Sequence, residues 1–273
     1  MRRSQALAAG VFILALCAKG GAYASTPPTA HSRLGLGLAL FFAPAYPASD
    51  SERFFVYPYP YWDYSSPRLH LHHEHVRARW AHDARLSVGL GANGSPPTQA
   101  GSPSARTGMP ALAPTFALGP DVRYRLWWHP WGLKTALGAR VRYRLAVNGG
   151  VRTDGLGTSA SGFLEWRSPP GRAWPVVVSV GPVWRSAGVN NYFFGVKSAY
   201  ALPGRAAYDA RGGYAGLRLS GAISVKSGPM RYSLFGRYRN YQGAVFRDSP
   251  LCKASNTLIL GLAVVWVFFD SAG

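Results

Sequence analysis

The chain has 273 residues and a formal charge of +19, from 30 Lys and Arg against 11 Asp and Glu. Its 32 Gly and 21 Pro are spread over the whole length, a composition that excludes a helical bundle. No apolar run reaches the roughly 18 residues a membrane helix needs, so a helical membrane protein is excluded as well.

In chain order, the first element is an export signal. Arg2 and Arg3 form a basic start, Ala6 to Cys17 is an apolar stretch too short to cross a bilayer, and Ala22-Tyr23-Ala24 is a cleavage site. Residues 1–24 are therefore expected to be removed, leaving a single β domain over 25–273 that begins at Ser25. Cys252 is then the one cysteine left, and no disulfide can form within the mature chain.

Strand signals follow. From Arg33 to Phe42, Leu34, Leu36, Leu38 and Leu40 share one face and Gly35 and Gly37 the other. Arg53 to Tyr61 is aromatic but holds Pro58 and Pro60, which fits an edge-like or irregular stretch better than a central strand. Leu69 to Trp80 changes phase part-way, which predicts a bulge or a turn near His73. Leu86 to Ala92 alternates, and 93–115, rich in Gly, Pro, Ser and Thr, is the longest non-strand segment. Strands are expected at about 116–128, 133–147, 158–167 and 175–185, then an irregular region over 187–211, then strands at 213–226, 229–241 and 257–269.

The last of these carries the strongest signal. Leu258 to Phe269 has no charge, and Leu258, Leu260, Leu262, Val264, Trp266 and Phe268 share a bulky face, with Thr257, Gly261 and Ala263 opposite. A membrane β-strand crosses the apolar layer in about 9–11 residues, with lipid on one face and a lumen on the other. The expected fold is all-β: a transmembrane antiparallel up-and-down β-barrel of ten or twelve strands. The count depends on the segments near 54–61 and 192–199, because bacterial barrels close on an even number.

The excess of positive charge would ordinarily point to nucleic acid, but the arginines recur at strand period. Arg140, Arg142 and Arg144 share one face of their strand. Arg123 and Arg125 oppose Val122, Tyr124, Leu126 and Trp128. Arg231, Arg237 and Arg239 oppose Tyr232, Leu234 and Tyr238, and Arg218 and Lys226 oppose Leu217, Leu219, Ile223 and Val225. An arginine facing lipid at mid-bilayer costs about 2–4 kcal/mol. The candidate lumenal, anion-facing set is therefore Arg123, Arg125, Arg140, Arg142, Arg144, Arg237 and Arg239, and no nucleic-acid partner is expected. Such arginines either pair with the few acids and with phosphate head groups or give the interior an anion-attracting field.

Other chemistry has weaker support. His70, His72, His73 and His75 surround Glu74, but donors on both faces of a strand do not assemble the three or four ligands of a zinc site. His82-Asp83 is the one adjacent His/Asp pair, and no G-x-S-x-G occurs. No catalytic residue, metal or cofactor is expected.

Four motifs carry a family resemblance. Ala105-Arg106-Thr107-Gly108-Met109-Pro110-Ala111-Leu112 with Leu118-Gly119-Pro120, Tyr192-Phe193-Phe194-Gly195-Val196, Ala207-Tyr208-Asp209-Ala210 with Gly212-Gly213, and Arg247-Asp248-Ser249-Pro250-Leu251 resemble, in order, the signatures of the MipA/OmpV outer-membrane family. The chain departs at Phe193, at Cys252 and in the four residues from Asp270 that trail the final aromatic. Apart from any family, Met109-Pro110 and Asp248-Ser249-Pro250 suit turns and strand entries, with Asp248 a candidate acceptor in an Asx-turn.

The resemblance implies a non-enzymatic barrel in the outer membrane, in contact with its lipid, with murein hydrolases and murein synthases as partners of a scaffold. Two alternatives stand beside it: a small anion-favouring channel or solute-binding barrel, and a surface adhesin acting through its loops.

Overall fold

The computed structural model describes residues 31–65, 69–72, 75–82, 85–98, 105–128, 134–148, 152–169 and 171–271. The expected signal and cleavage site, His73, Glu74 and Asp83 lie outside these residues. Twelve strands run in chain order: β1 (His31–Pro44), β2 (Glu52–Ser65), β3 (Leu69–His72), β4 (His75–His82), β5 (Leu86–Ser95), β6 (Thr115–Trp128), β7 (Lys134–Asn148), β8 (Arg152–Arg167), β9 (Val176–Arg185), β10 (Gly213–Ser227), β11 (Met230–Asn240) and β12 (Asn256–Asp270). Each pairs antiparallel with its neighbours in sequence, and β1 pairs with β12, so the sheet closes into a barrel.

Among the described residues the strand count is twelve, one of the two expected values, and it includes β2 but no strand from 192–199. Leu69 to Trp80 is not one strand with a slip but two, β3 and β4, paired with His72 opposite His75. The turn alternative explains the change of phase. Residues 192–199 form no strand. They run from the end of helix α1 (Ala187–Phe194) through an isolated bridge between Val196 and Tyr208 into a 3₁₀ turn at Ser198–Tyr200. Tyr192-Phe193-Phe194 reads locally as a strand, but tertiary burial holds it in a helix, since Phe193 and Phe194 are both buried. The region 187–211 is thus partly helical rather than wholly irregular.

The prolines of β2 sit where a strand tolerates them. Its pairing with β1 runs the full length, including Leu38 opposite Pro58 and Leu36 opposite Pro60, whereas β3 meets only Asp63, Tyr64 and Ser65. On that side Pro58 and Pro60 face no ladder, so their missing N–H groups break nothing.

Side-chain alternation follows the expected facing. Leu36 and Phe268 are 60% and 58% exposed on the lipid side of β1 and β12, while Ala263, Val265 and Val267 are buried inside. Inside the wall, aromatic rings lie over glycines of the facing strand. A Cβ on Gly37 would meet Tyr59 at 2.5 Å, one on Gly138 would meet Phe163 at 2.1 Å, and one on Gly261 would meet Phe235 at 2.4 Å. Each pair is directly opposed across a ladder, so glycine on one strand makes room for a ring that fills the lumen.

The two ends of the barrel differ. One carries both ends of the described chain and tight turns such as Gly228-Pro229. The seam there is clasped by Arg33, which reaches Asp270 of β12 at 2.8 Å and Asp63 of β2 at 3.4 Å. The other end carries the segments 45–51, 105–114, 186–212 and 241–255, and these pack together.

Candidate functional site: a cap and an arginine-lined lumen

The packed segments form a cap with a core of its own. Tyr46, Ala48, Leu112, Val189, Phe194, Val196, Phe246 and Leu251 are buried in one cluster, and Phe194 stacks on Phe246 with centroids 3.8 Å apart. All four family-like motifs meet here. Arg106 donates to the Phe193 carbonyl at 3.2 Å, and Tyr192 Oη donates to Ala113 O at 2.7 Å. Val196 and Tyr208 exchange backbone hydrogen bonds. Arg205 donates to Ala105 O and Thr107 O at 2.9 and 2.7 Å, and to Tyr200 O at 2.9 Å, tying two loops into one layer.

The Asp248-Ser249-Pro250 turn works through its serine. Asp248 is exposed and makes no hydrogen bond among the described residues, which corrects the Asx-turn expectation. Ser249 Oγ instead donates to Phe194 O at 2.7 Å and accepts from the Leu251 amide at 3.2 Å. Tyr46 Oη donates to Leu251 O at 2.8 Å. Burial pushes the Tyr46 phenol up to about 12, pushes the Arg106 guanidinium below its usual range and pushes the Cys252 thiol up. Cys252 is free and buried.

Below the cap, the arginines fall into two groups. In the first, Asp121 lies 3.6 Å from Arg123, 3.6 Å from Arg140 and 3.5 Å from Arg142. Glu165 adds contacts of 3.6 Å to Arg123 and 3.0 Å to Arg167. Arg140 also stacks over Phe163 at 3.9 Å and Arg123 at 5.5 Å. These distances describe a layer held by Coulomb attraction and ring faces more than by short hydrogen bonds.

Arg142 has a further task. Pro120 interrupts the β6–β7 ladder, and the register passes from Leu118–Tyr143 to Asp121–Arg140 without a pair between. Arg142 Nη1 donates to the carbonyls of Gly119 and Pro120, both at 2.7 Å, and to Val141 O at 3.0 Å. The missing Cβ of Gly91, which would stand 2.2 Å from Arg142 Nη2, leaves room for the side chain. The Gly119-Pro120 motif and Arg142 are therefore two halves of one repair of the ladder.

The second group lies nearer the cap. Arg144 donates to Thr115 Oγ1 at 2.6 Å and to Asn93 Oδ1 at 3.5 Å. Arg218 donates to Ser161 Oγ at 3.3 Å and stands directly opposite Arg239 across the β10–β11 ladder. Arg185, at the end of β9, lies over the Phe193 ring at 5.8 Å, with a buried Nη1 that has no hydrogen-bond partner. Among the described residues no carboxylate comes within 4 Å of Arg144, Arg185, Arg218 or Arg239.

Of the seven residues nominated from the sequence, Arg123, Arg140 and Arg142 thus join the acid-bearing layer, and Arg144 and Arg239 join the second group. Arg125, opposite Ala136, and Arg237, opposite Ser220, sit on the inward register of β6 and β11. Sequence reasoning missed Arg185 and the acids. The signal for Asp121 was available, since it is two residues from Arg123 and shares its face. Glu165 stands likewise two residues from Phe163. The side chains of His70, His72, His75 and His82 lie outside the described residues, and no cluster of His, Cys, Asp or Glu able to hold a metal occurs among the described ones.

Residues 36–268 match the family described as MltA-interacting protein MipA. Similar solved structures include the NanC porin, at 5% identity over 86% of this chain and 98% of that one, with a TM-score of 0.36. The outer-membrane protease OmpT from Escherichia coli is 8% identical over 90% of this chain and 99% of its own, at TM-score 0.32. The Pseudomonas putida toluene transporter TodX is 6% identical over 90% and 69%, at 0.29. No curated relative matches the chain.

Proposed function

The chain belongs to the MltA-interacting protein MipA family and is an outer-membrane barrel protein, and from that premise we propose that it is a closed, non-conducting scaffold for murein-remodelling enzymes. The observation that carries this reading is the obstruction of the lumen: a cap with its own hydrophobic core above an ion-paired layer and rings seated on glycines. Small barrels commonly fill their interior with side chains in this way. The family's description supports a murein hydrolase as one partner. A leader over 1–24 delivers the chain to the envelope, and residues 25–273 form the one barrel domain, embedded in outer-membrane lipid.

The end with short turns faces the periplasm in this reading, because barrels of this class keep short turns inside and long loops outside. Its contact point is the stretch 171–175. Beside it Ser168 N donates to Val176 O at 2.9 Å and Val176 N to Ser168 Oγ at 3.0 Å, and the stretch presents Arg172 and Trp174, the latter 62% exposed. Tryptophan and arginine are the residue types that most often dominate protein contacts.

Affinity capture of solubilised envelope proteins by the purified barrel tests the proposal. A murein hydrolase and a murein synthase should be retained, and W174A with R172A should reduce both without altering the barrel's heat-modifiable migration. Retention of neither enzyme by the unaltered barrel would contradict it.

A further inference from the structure

We propose that the arginine cluster beneath the cap, Arg144, Arg185, Arg218 and Arg239, binds a phosphate group. This does not depend on the scaffold reading. Arg218 and Arg239 are directly opposed on neighbouring strands, an arrangement that destabilises a sheet when both residues carry the same charge. The repulsion extends further: Arg185 feels the charges of Arg239 and Arg144, and Arg218 those of Arg140, Arg237, Arg239 and Arg185.

The partners these four do have are neutral. Thr115, Asn93, Ser161 and the Phe193 ring supply acceptors and a π face but no negative charge. Arginine does not shed its proton in proteins, so the charge must be balanced by something else. In the neighbouring layer Asp121 and Glu165 do this. In the second group no carboxylate among the described residues does, and Arg185 Nη1 is buried without a hydrogen-bond partner, as are the Nε atoms of Arg123, Arg140 and Arg142 in the first. A mobile anion completes the account. Planar guanidinium forks match the paired oxygens of a phosphate far better than a spherical ion, which selects a phosphate or phosphomonoester over chloride.

The test uses the full refolded barrel in detergent, with binding followed by calorimetry and thermal unfolding at matched ionic strength in chloride, inorganic phosphate or glycerol phosphate. Inorganic phosphate, glycerol phosphate or both should bind and raise the unfolding temperature, and the pattern tells a free ion from an ester. R239S and R218S should each weaken binding by about tenfold or more, the loss expected for one charged hydrogen-bonding partner. R239K, which keeps the charge and loses the fork, should weaken it too, while R85S at the exposed opposite end should not. Without any phosphate, R239S should unfold at a higher temperature than the parent chain, because repulsion is relieved. The proposal is overturned if the parent chain binds neither phosphate, if chloride serves equally well, or if R239S and R218S lower the unfolding temperature equally in every buffer.

Discussion

Two groups of arginines point into the same lumen from adjacent stretches of the same wall, and the protein treats them oppositely. Arg123, Arg140 and Arg142 surround Asp121, with Glu165 and Phe163 closing the layer. Arg144, Arg185, Arg218 and Arg239 meet neutral groups and other arginines. Strand periodicity places both groups inside, because lipid forbids the outside. It does not determine whether an inward charge is structural or available. That depends on which acids the neighbouring strands bring to the same level. The first group is part of the fabric of the barrel; the second is poised to bind.

The sharpest way to break the comparison is D121N. It removes the buried carboxylate shared by three arginines, and taking one partner from a buried ionic set costs about 3–5 kcal/mol. Loss of the compact, heat-modifiable gel form at a markedly lower temperature is expected. An unchanged unfolding temperature would place the acid-bearing layer with the available group.

Next in size, L262R should cost about 2–4 kcal/mol if it faces the middle of the bilayer. Leu262 is exposed on the lipid side and Ala263 is buried inside. Refolding into bilayers under urea titration measures the cost, and tolerance of L262R equal to that of an alanine at the same site would reverse the facing of β12. G138A tests the filling of the lumen at a smaller scale, since its new methyl would collide with the Phe163 ring. Overpacking of this kind costs about 1–3 kcal/mol, read in the same titration, and G162A serves as the control because a Cβ there meets nothing within 4 Å.

Much of this architecture is legible in the sequence, and the gaps have physical causes. The facing of β12 follows from its own alternation, as does that of β1 from Leu34, Leu36 and Leu38 against Gly35 and Gly37. The break between β3 and β4 shows as the phase change near His73. Helix α1 does not show, because Tyr192-Phe193-Phe194 has strand-like residues and becomes helical through contacts with distant loops. Asp270 looks like a residue trailing the last strand, yet it pairs with Arg33, 237 positions away in the chain, and closes the seam. The cap motifs are visible as motifs, but nothing local says that residues 106, 193, 208 and 249 share one core. Arg185 is missed for the same reason, since its role depends on β7, β10 and β11 arriving beside it.

The smallest expected effect concerns the cap. Y46F removes the hydrogen bond to Leu251 O and should cost about 1 kcal/mol, seen as faster proteolysis within 186–212. The pH dependence gives a second signature. A folded phenol raised to about 12 contributes stability that is fully present below its ordinary value of about 10 and is lost as pH rises through 12. The parent cap should therefore lose protease protection across that window more steeply than the Y46F cap. Identical profiles would mean that Tyr46 is not sealed in the cap core.

Conductance across a planar bilayer tests the central claim, a capped and filled barrel, most directly. The account predicts no steady single-channel current from the purified protein in either chloride or phosphate. A steady, anion-selective current that R140S, R142S and R144S together erase would contradict it and make the arginine-lined lumen a pore.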